Sequence, residues 1–438
     1  MANRKTVQIN NFLVYLIVGL VPLILLPRRG HLSASIPKLI VLGVIGIVFL
    51  LHWFIRRREM TVIRDNLENR FLAGYVFFLV VSMFFSLDPV TSFWGSGYRY
   101  DGLVAFFLYL LAYLAAKNGH HLGRKLFWIL AVSGFLVALL GVLQFYSIDP
   151  IPSRWYAIPW KDAAFSTMGN PNFLGSYLVL VIPMPLYLYF YKNQPVGLIF
   201  YSVMVLALLC TRTRGAWIGF FISLLVFLFL HHKGYGFRKK EGRKVLVVFL
   251  LTLVISGFFI ITSGDLFFAR FLSIFGDLFA WIKQTEGSEM GGSFRIYLWG
   301  KVLTLIGKRP LTGYGIDVLY IAMNSNFREQ IIQDFGVYKN WDKAHNEFLN
   351  IAVSSGVLSL LAYLGFVGAV IRRAYKRLPE HPGYVALLAA VMGYLVQAMF
   401  NIQVVMVYYV FFAYLGILSA EEGLEDTRGI FSGFRKTA

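Results

Sequence analysis

Residues 341–371 read WDKAHNEFLNIAVSSGVLSLLAYLGFVGAVI, placing Asp342, Lys343, His345, Asn346 and Glu347 directly ahead of an apolar run. An imidazole titrates near neutrality, so His345 can accept or donate a proton at working pH. The same cluster also reads as a helix start, with Asp342 as N-cap and acids favoured in the first turn. On that reading His345 is structural. A second stretch, TRTRGAW (211–217), holds Arg212 and Arg214 in a turn between two apolar runs. A guanidinium fork grips two phosphate oxygens and stays charged, which suits an anion site. The alternative is that both arginines reach out to lipid headgroups. Arg295 opens RIYLWGKVLTLIGKRP, where Ile296, Leu298, Trp299, Val302, Leu303 and Ile306 recur at roughly helical spacing. That pattern predicts a helix on a membrane interface, with Arg295 one of its polar residues and Lys308 and Arg309 as headgroup contacts.

Three further stretches offer weaker chemistry. GNPNFLG (169–175) is a turn in which Asn170 and Asn172 can bind sugar hydroxyls or merely cap a helix. WGSGYRYDG offers Trp94, Tyr98 and Tyr100 as stacking surfaces, with Arg99 and Asp101 as a pair. LTGYGID is a tight turn through Gly313 and Gly315. No Asp-x-Asp pair or Cys/His cluster in the loops around these stretches has metal-ligand spacing, and no P-loop or dinucleotide motif occurs, so neither a metal nor a cofactor is expected.

The elements that must position these residues are membrane helices. The chain has 438 residues, 58% hydrophobic and 14% charged, against about a quarter charged in a soluble domain. Mean hydropathy is +0.65. Apolar runs recur along its whole length, predicting an all-α polytopic membrane protein. About twelve transmembrane helices are expected, near 12–27, 36–55, 71–87, 102–117, 126–147, 173–191, 195–210, 215–231, 245–263, 348–371, 383–401 and 404–420. The first is read as retained, with no cleavage pattern. One integral membrane domain, 1–438, is expected, with one long loop over 264–347. A single cysteine, Cys210, excludes an intramolecular disulfide.

The formal charge of +19 raises nucleic acid as a partner, but the basic residues are distributed as orientation signals. Alternate connections carry Arg4–Lys5, Arg56–Arg58 with Arg64 and Arg70, Lys117 with Arg124–Lys125, Lys192, Lys233 with 238–244, Arg372–Arg377, and Arg428 with Arg435–Lys436. The intervening short loops hold only Arg28, Arg29, Arg99, Arg154, Lys161, Arg212 and Arg214. Both termini are therefore expected in the cytoplasm, and the long loop outside. No nucleic acid is expected; the lipid bilayer is.

The order GNPNFLG, TRTRGAW, FRIYLWGKVLTLIGKRPLTGYGID and DKAHNEFLNIAVSSGVLSLLAYL resembles the O-antigen ligase-like family over about 165–371. That family includes lipopolysaccharide O-antigen ligases, polysaccharide polymerases and protein O-oligosaccharyltransferases. The resemblance implies a membrane glycosyltransferase of the C type, metal-independent and inverting, in a bacterial cytoplasmic membrane. Its donor would be a glycan on undecaprenyl diphosphate, and its acceptor a glycan, lipid or protein hydroxyl. It implies that Arg214 and Arg295 hold the diphosphate and that His345 meets the acceptor hydroxyl. Arg212, Arg99, Asn170, Asn172, Tyr314, Asp317 and Asn346 would contact substrate. A polymerase uses the same residues. A lipid-linked glycan flippase is the rival of another class, and it predicts charges along the middle of the bundle, which the spans lack.

Overall fold

The computed structural model describes residues 4–26, 32–57, 60, 66–97, 99–119, 122–152, 160, 162–236, 239–263, 291–421 and 424. Several sequence expectations lie outside them: Tyr98, Arg28, Arg29, Arg154 and Lys161, residues 264–290 of the long loop, and the basic residues Arg58, Arg64, Arg238, Arg428, Arg435 and Lys436.

The described secondary structure is helical, without a strand. In chain order the helices are α1 (Arg4–Tyr15, continued by a π turn Leu16–Leu20 and a 3-10 turn Val21–Leu23), α2 (Leu32–Arg56), α3 (Leu67–Phe84), α4 (Pro89–Trp94), α5 (Leu103–Lys117), α6 (Gly123–Phe145), α7 (Pro171–Val181), α8 (Pro183–Lys192), α9 (Val196–Cys210), α10 (Arg214–Tyr235), α11 (Lys239–Ser263), α12 (Gly291–Lys308), α13 (Leu319–Phe335), α14 (Glu347–Ser355), α15 (Val357–Lys376), α16 (Gly383–Ala398) and α17 (Tyr408–Ser419). Asn66, Asp88, Asn170 and Asn346 cap α3, α4, α7 and α14 with side-chain oxygens that accept first-turn N–H groups.

Among the described residues, eight spans are long and apolar enough to cross a membrane, running from Lys5–Leu23 to Val357–Lys376. Four shorter apolar helices, α5, α9, α16 and α17, fall where the sequence predicted the remaining spans. Eight crossings are thus supported by length and composition among the described residues, and the four shorter helices stand at the other expected positions. The densest packing joins α10 to α16, α17 to α5, α15 to α3 and α6 to α9, so helices distant in sequence are neighbours.

Two expected spans differ in form. The run 348–371 is broken into α14 and α15 at Gly356, whose φ is +91° and where a side chain would strike the Leu311 carbonyl. The break is filled from the long loop. Tyr314 and Gly315 donate their N–H groups to Val353 O and Ser354 O at 2.9 Å, and Val357 N donates to Pro310 O at 2.7 Å. The orphan groups of both helix ends are satisfied by another segment. Gly313 and Gly315 take positive φ, as the tight turn requires. The second difference lies between α16 and α17. Residues 399–407 are non-helical, yet 401–407 are buried, Val405 completely. Irregular backbone at this depth is tolerable because protein surrounds it.

The amphipathic stretch forms α12, but its apolar face is turned into protein. Tyr297, Leu298, Val302 and Leu305 join Val318, Met323, Ile331 and Ala344 in a second small core. The apolar residues expected to face a membrane interface are thus shared with protein, while Leu303 stays exposed at 56%. Lys308 binds Asn326 Oδ1 at 2.8 Å and Arg309 donates to Phe85 O at 3.3 Å, so both meet protein groups rather than only headgroups.

Candidate functional site

Residues 341–346 connect α13 to α14 without helix, and they collect partners from across the chain. Arg99 Nε meets Asp342 Oδ2 at 2.6 Å, while its guanidinium lies 5.6 Å from the Phe173 ring centre at the start of α7. Two sequence expectations are corrected here. Arg99 pairs with Asp342 and not with Asp101. The cap of α14 is Asn346, whose Oδ1 accepts from Leu349 N at 3.1 Å, and not Asp342. A residue directly preceding the helix is better placed to reach its first N–H groups than one four positions earlier.

Lys343 occupies a fully enclosed site. Its ammonium lies 2.9 Å from Asp101 Oδ2 and 3.0 Å from Asp317 Oδ1, each side chain only 1% exposed. Asp101 also accepts from Tyr109 OH at 2.8 Å, and Asp317 Oδ2 from Ser96 N at 2.7 Å. Burial alone would lower the Lys343 pKa, but the two carboxylates outweigh it and hold the ammonium charged. Burial raises the Asp101 carboxyl against the pull of Lys343.

His345 follows with φ +49°, a left-handed conformation uncommon outside glycine. Tyr100, Arg212 and Asp317 share this backbone geometry, so it recurs around the site. Burial, then the Arg295 guanidinium, pushes the imidazole down to about 4; Asp342 opposes this and Arg99 adds to it. The ring is therefore uncharged at neutral pH. Burial would raise the Asp342 carboxyl, but Arg99 beside it outweighs this and holds it below the usual range.

The structure thus brings His345, Arg295, Arg99 and Asp342 within electrostatic reach of one another. Arg214 is the first residue of α10, and its placement rests on neighbours. Gly215 packs on Phe400, the Phe400 ring lies 6.5 Å from Trp299, and Trp299 Nε1 donates to Ala344 O at 3.0 Å. The start of α10, residues 399–401, α12 and the His345 segment are consequently contiguous. Threonines shape the turn before α10. Thr211 Oγ1 donates to Leu208 O, and Thr213 Oγ1 donates to Asn172 Oδ1 at 3.3 Å.

The other expected contacts are largely engaged in structure. Arg212 donates to Ser263 O at 3.3 Å and lies over the Phe145 ring, directed at the ends of α6 and α11. Asn170 caps α7, and Asn172 ties α7 to Thr213 and Asn401. Tyr314 anchors the glycine turn through its backbone, with Arg309 over its ring. Asp317 belongs to the Lys343 centre and Asn346 to the α14 cap. Trp94 remains 59% exposed and open to stacking.

The sequence left the roles of two groups open. Lys343 was legible only as one more polar residue in a cluster, because its carboxylates lie 242 and 26 positions away. Glu347 is fully buried and accepts from Tyr363 OH at 2.7 Å, Tyr408 OH at 3.0 Å and Tyr394 OH at 3.0 Å. A carboxylate opening an apolar run was the only signal for it.

The described residues form a helical bundle with spans fit to cross a membrane, in which Arg99, Arg295 and an uncharged His345 lie within electrostatic reach of one another. Residues 199–364 match the family model described as O-Antigen ligase, and the resemblance read from the motifs stands on that match. The matched segment runs from α9 into α15 and contains Arg214, Arg295 and His345. It points to membrane glycan ligase or polymerase activity. An uncharacterized protein of Haemophilus influenzae is 20% identical over 382 residues, covering 84% of this chain and 86% of that protein.

Proposed function

We propose that this protein transfers a glycan from undecaprenyl diphosphate to an acceptor hydroxyl at the outer face of a bacterial cytoplasmic membrane. Both termini are then cytoplasmic, the architecture is of the membrane glycosyltransferase C type, and the loop over 264–347 carries the site outside. The observation that carries the reading is an uncharged, half-buried His345 whose segment is tied to the helix of Arg295 by the hydrogen bond from Trp299 Nε1 to Ala344 O. A neutral imidazole can take a proton, and a guanidinium can hold a phosphate oxygen.

In the proposed reaction the acceptor oxygen attacks the anomeric carbon as His345 removes its proton. The bond from that carbon to the phosphate oxygen breaks, and its electron pair leaves with undecaprenyl diphosphate. A single displacement inverts the anomeric configuration. Arg214 and Arg295 stabilise the departing diphosphate, supplying positive charge without a metal. Arg214 at the first position of α10 adds the partial charge of a helix N-terminus. A diphosphate bound at Arg295 also offsets that guanidinium's field, so the proton affinity of His345 rises when donor is present.

The test is transfer by purified protein from an undecaprenyl-diphosphate glycan to candidate acceptors. Release of undecaprenyl diphosphate coupled to a new glycosidic bond is expected. If His345→Ala, Arg214→Ala and Arg295→Ala all retain full transfer, the site assignment fails. Transfer onto the growing glycan itself identifies a polymerase rather than a ligase. Sidedness is read by labelling Ser325→Cys in a Cys210→Ala background; reaction only with cytoplasmic reagent overturns the orientation.

A further inference from the structure

His345 lies midway between two buried charged residues, each two positions away and each tied to a different part of the bundle. We propose that Lys343 and Glu347 are positioning residues that clamp the His345 segment from both sides and set its imidazole against the substrate. This rests on the reading of His345 given above.

The geometry is specific. Lys343 joins the segment to the turn before α5, through Asp101, and to the end of the glycine turn, through Asp317. Glu347 joins it to α15, α16 and α17, through Tyr363, Tyr394 and Tyr408. Three residues separate the two anchors, and the backbone between them takes a left-handed step at His345. Such a step persists only where the surroundings over-determine it. Neither anchor is a cheap structural filler. The Lys343 centre encloses one cation with two carboxylates, and Glu347 is a carboxylate met by three neutral hydroxyls. Apolar side chains of similar volume fill such places at no loss, and often a gain, in stability. Polar anchors contribute direction instead, since a hydrogen-bonded group fixes the segment's register where a methyl group does not.

The charged groups acting on His345 are Arg295, Asp342 and Arg99, from α12, its own segment and the turn before α5. Loosening either anchor moves the ring relative to them. Both kinetics and ring titration must therefore respond.

The experiment uses the full chain in detergent. The single variants Lys343→Met and Glu347→Leu strand buried carboxylates or hydroxyls and are prone to unfold. Each anchor is therefore also replaced as a balanced set. One set is Lys343→Met with Asp101→Asn and Asp317→Asn. The other is Glu347→Leu with Tyr363→Phe, Tyr394→Phe and Tyr408→Phe. The ring pKa of His345 is followed by histidine NMR, assigned with His345→Gln, beside kcat and the KM for donor. Expected is a ring pKa moving from about 4 toward 6.5, with kcat down roughly 100-fold and KM little changed, since about an ångström of misplacement has that effect. Lys343→Arg restores part of kcat. Folded balanced variants with ring pKa and kcat both unmoved overturn the clamp, as does a fall in kcat with an unmoved ring. A moved ring with unchanged kcat, alongside an active His345→Gln, leaves the clamp standing and removes His345 from the reaction.

Discussion

The two ends of the helical bundle use their cations in opposite ways. At one end they close helices. Lys117, Lys192, Lys233 and Lys376 stand in the last turns of α5, α8, α10 and α15. Lys244 donates to Phe190 O at 2.7 Å near the end of α8, and Arg373 pairs with Glu68 at 3.0 Å. Positive charge at a helix C-terminus is favourable, so these residues stabilise the ends they occupy. At the other end Arg214 opens α10 and Arg295 lies near the start of α12, with no acid in either first turn. A cation beside a helix N-terminus is unfavourable by the same argument. The contrast teaches that the first set is accounted for by helix capping, whereas the second stands against the helix dipole, the placement that the proposed diphosphate site would use.

Substitutions can break or sharpen this contrast. The largest effect is expected from His345→Ala, which should lower transfer about 100- to 10,000-fold, as loss of a general base does. Wild-type rates in the transfer assay would remove His345 from the mechanism. Next come Arg214→Ala and Arg295→Ala, each expected to lower kcat by about 100- to 1,000-fold through lost stabilisation of the leaving diphosphate. Gly356→Ala should lower stability by about 1–3 kcal/mol, from strain at φ +91° and collision with Leu311 O, read as a lower Tm. An unchanged Tm would mean that the junction of α14 and α15 relaxes freely.

A smaller effect concerns the His345 ring. Its folded value of about 4 lies below the ordinary 6.5, so the unfolded chain binds the proton more readily. This group's stabilisation is complete above about pH 6.5 and declines as pH falls toward 4. Arg295→Gln removes a repelling cation and should raise the ring pKa in an NMR titration; no movement would dissociate the two residues. The smallest effect is expected at the other end, where Arg372→Ala and Lys376→Ala should change kcat by less than about 2-fold, since exposed surface changes are worth under about 0.5 kcal/mol. A loss there comparable to Arg214→Ala would erase the contrast between the ends.

Much of this was legible in the chain itself. Apolar runs about as long as a bilayer is thick located the helices, because a membrane demands that pattern. The TRTRG turn, the GYG turn and the cap of α7 were readable because threonine, glycine and asparagine at those places have few local alternatives. Asp342 misled, since an acid ahead of an apolar run reads as a cap until Arg99, 243 positions away, is seen beside it. Nor did periodicity reveal that the face of α12 packs on protein, because lipid and protein interiors select the same apolar residues.

By itself, then, the sequence determined what is local or compositional: membrane residence, most helix positions, and the residue types able to hold a phosphate or take a proton. The tertiary structure decided the partners. It placed Lys343 between Asp101 and Asp317, gave Glu347 three tyrosine hydroxyls, and broke one apolar run at Gly356 to seat a distant turn. Those outcomes depend on segments remote in the chain meeting in space, where burial without water makes each polar group find a partner.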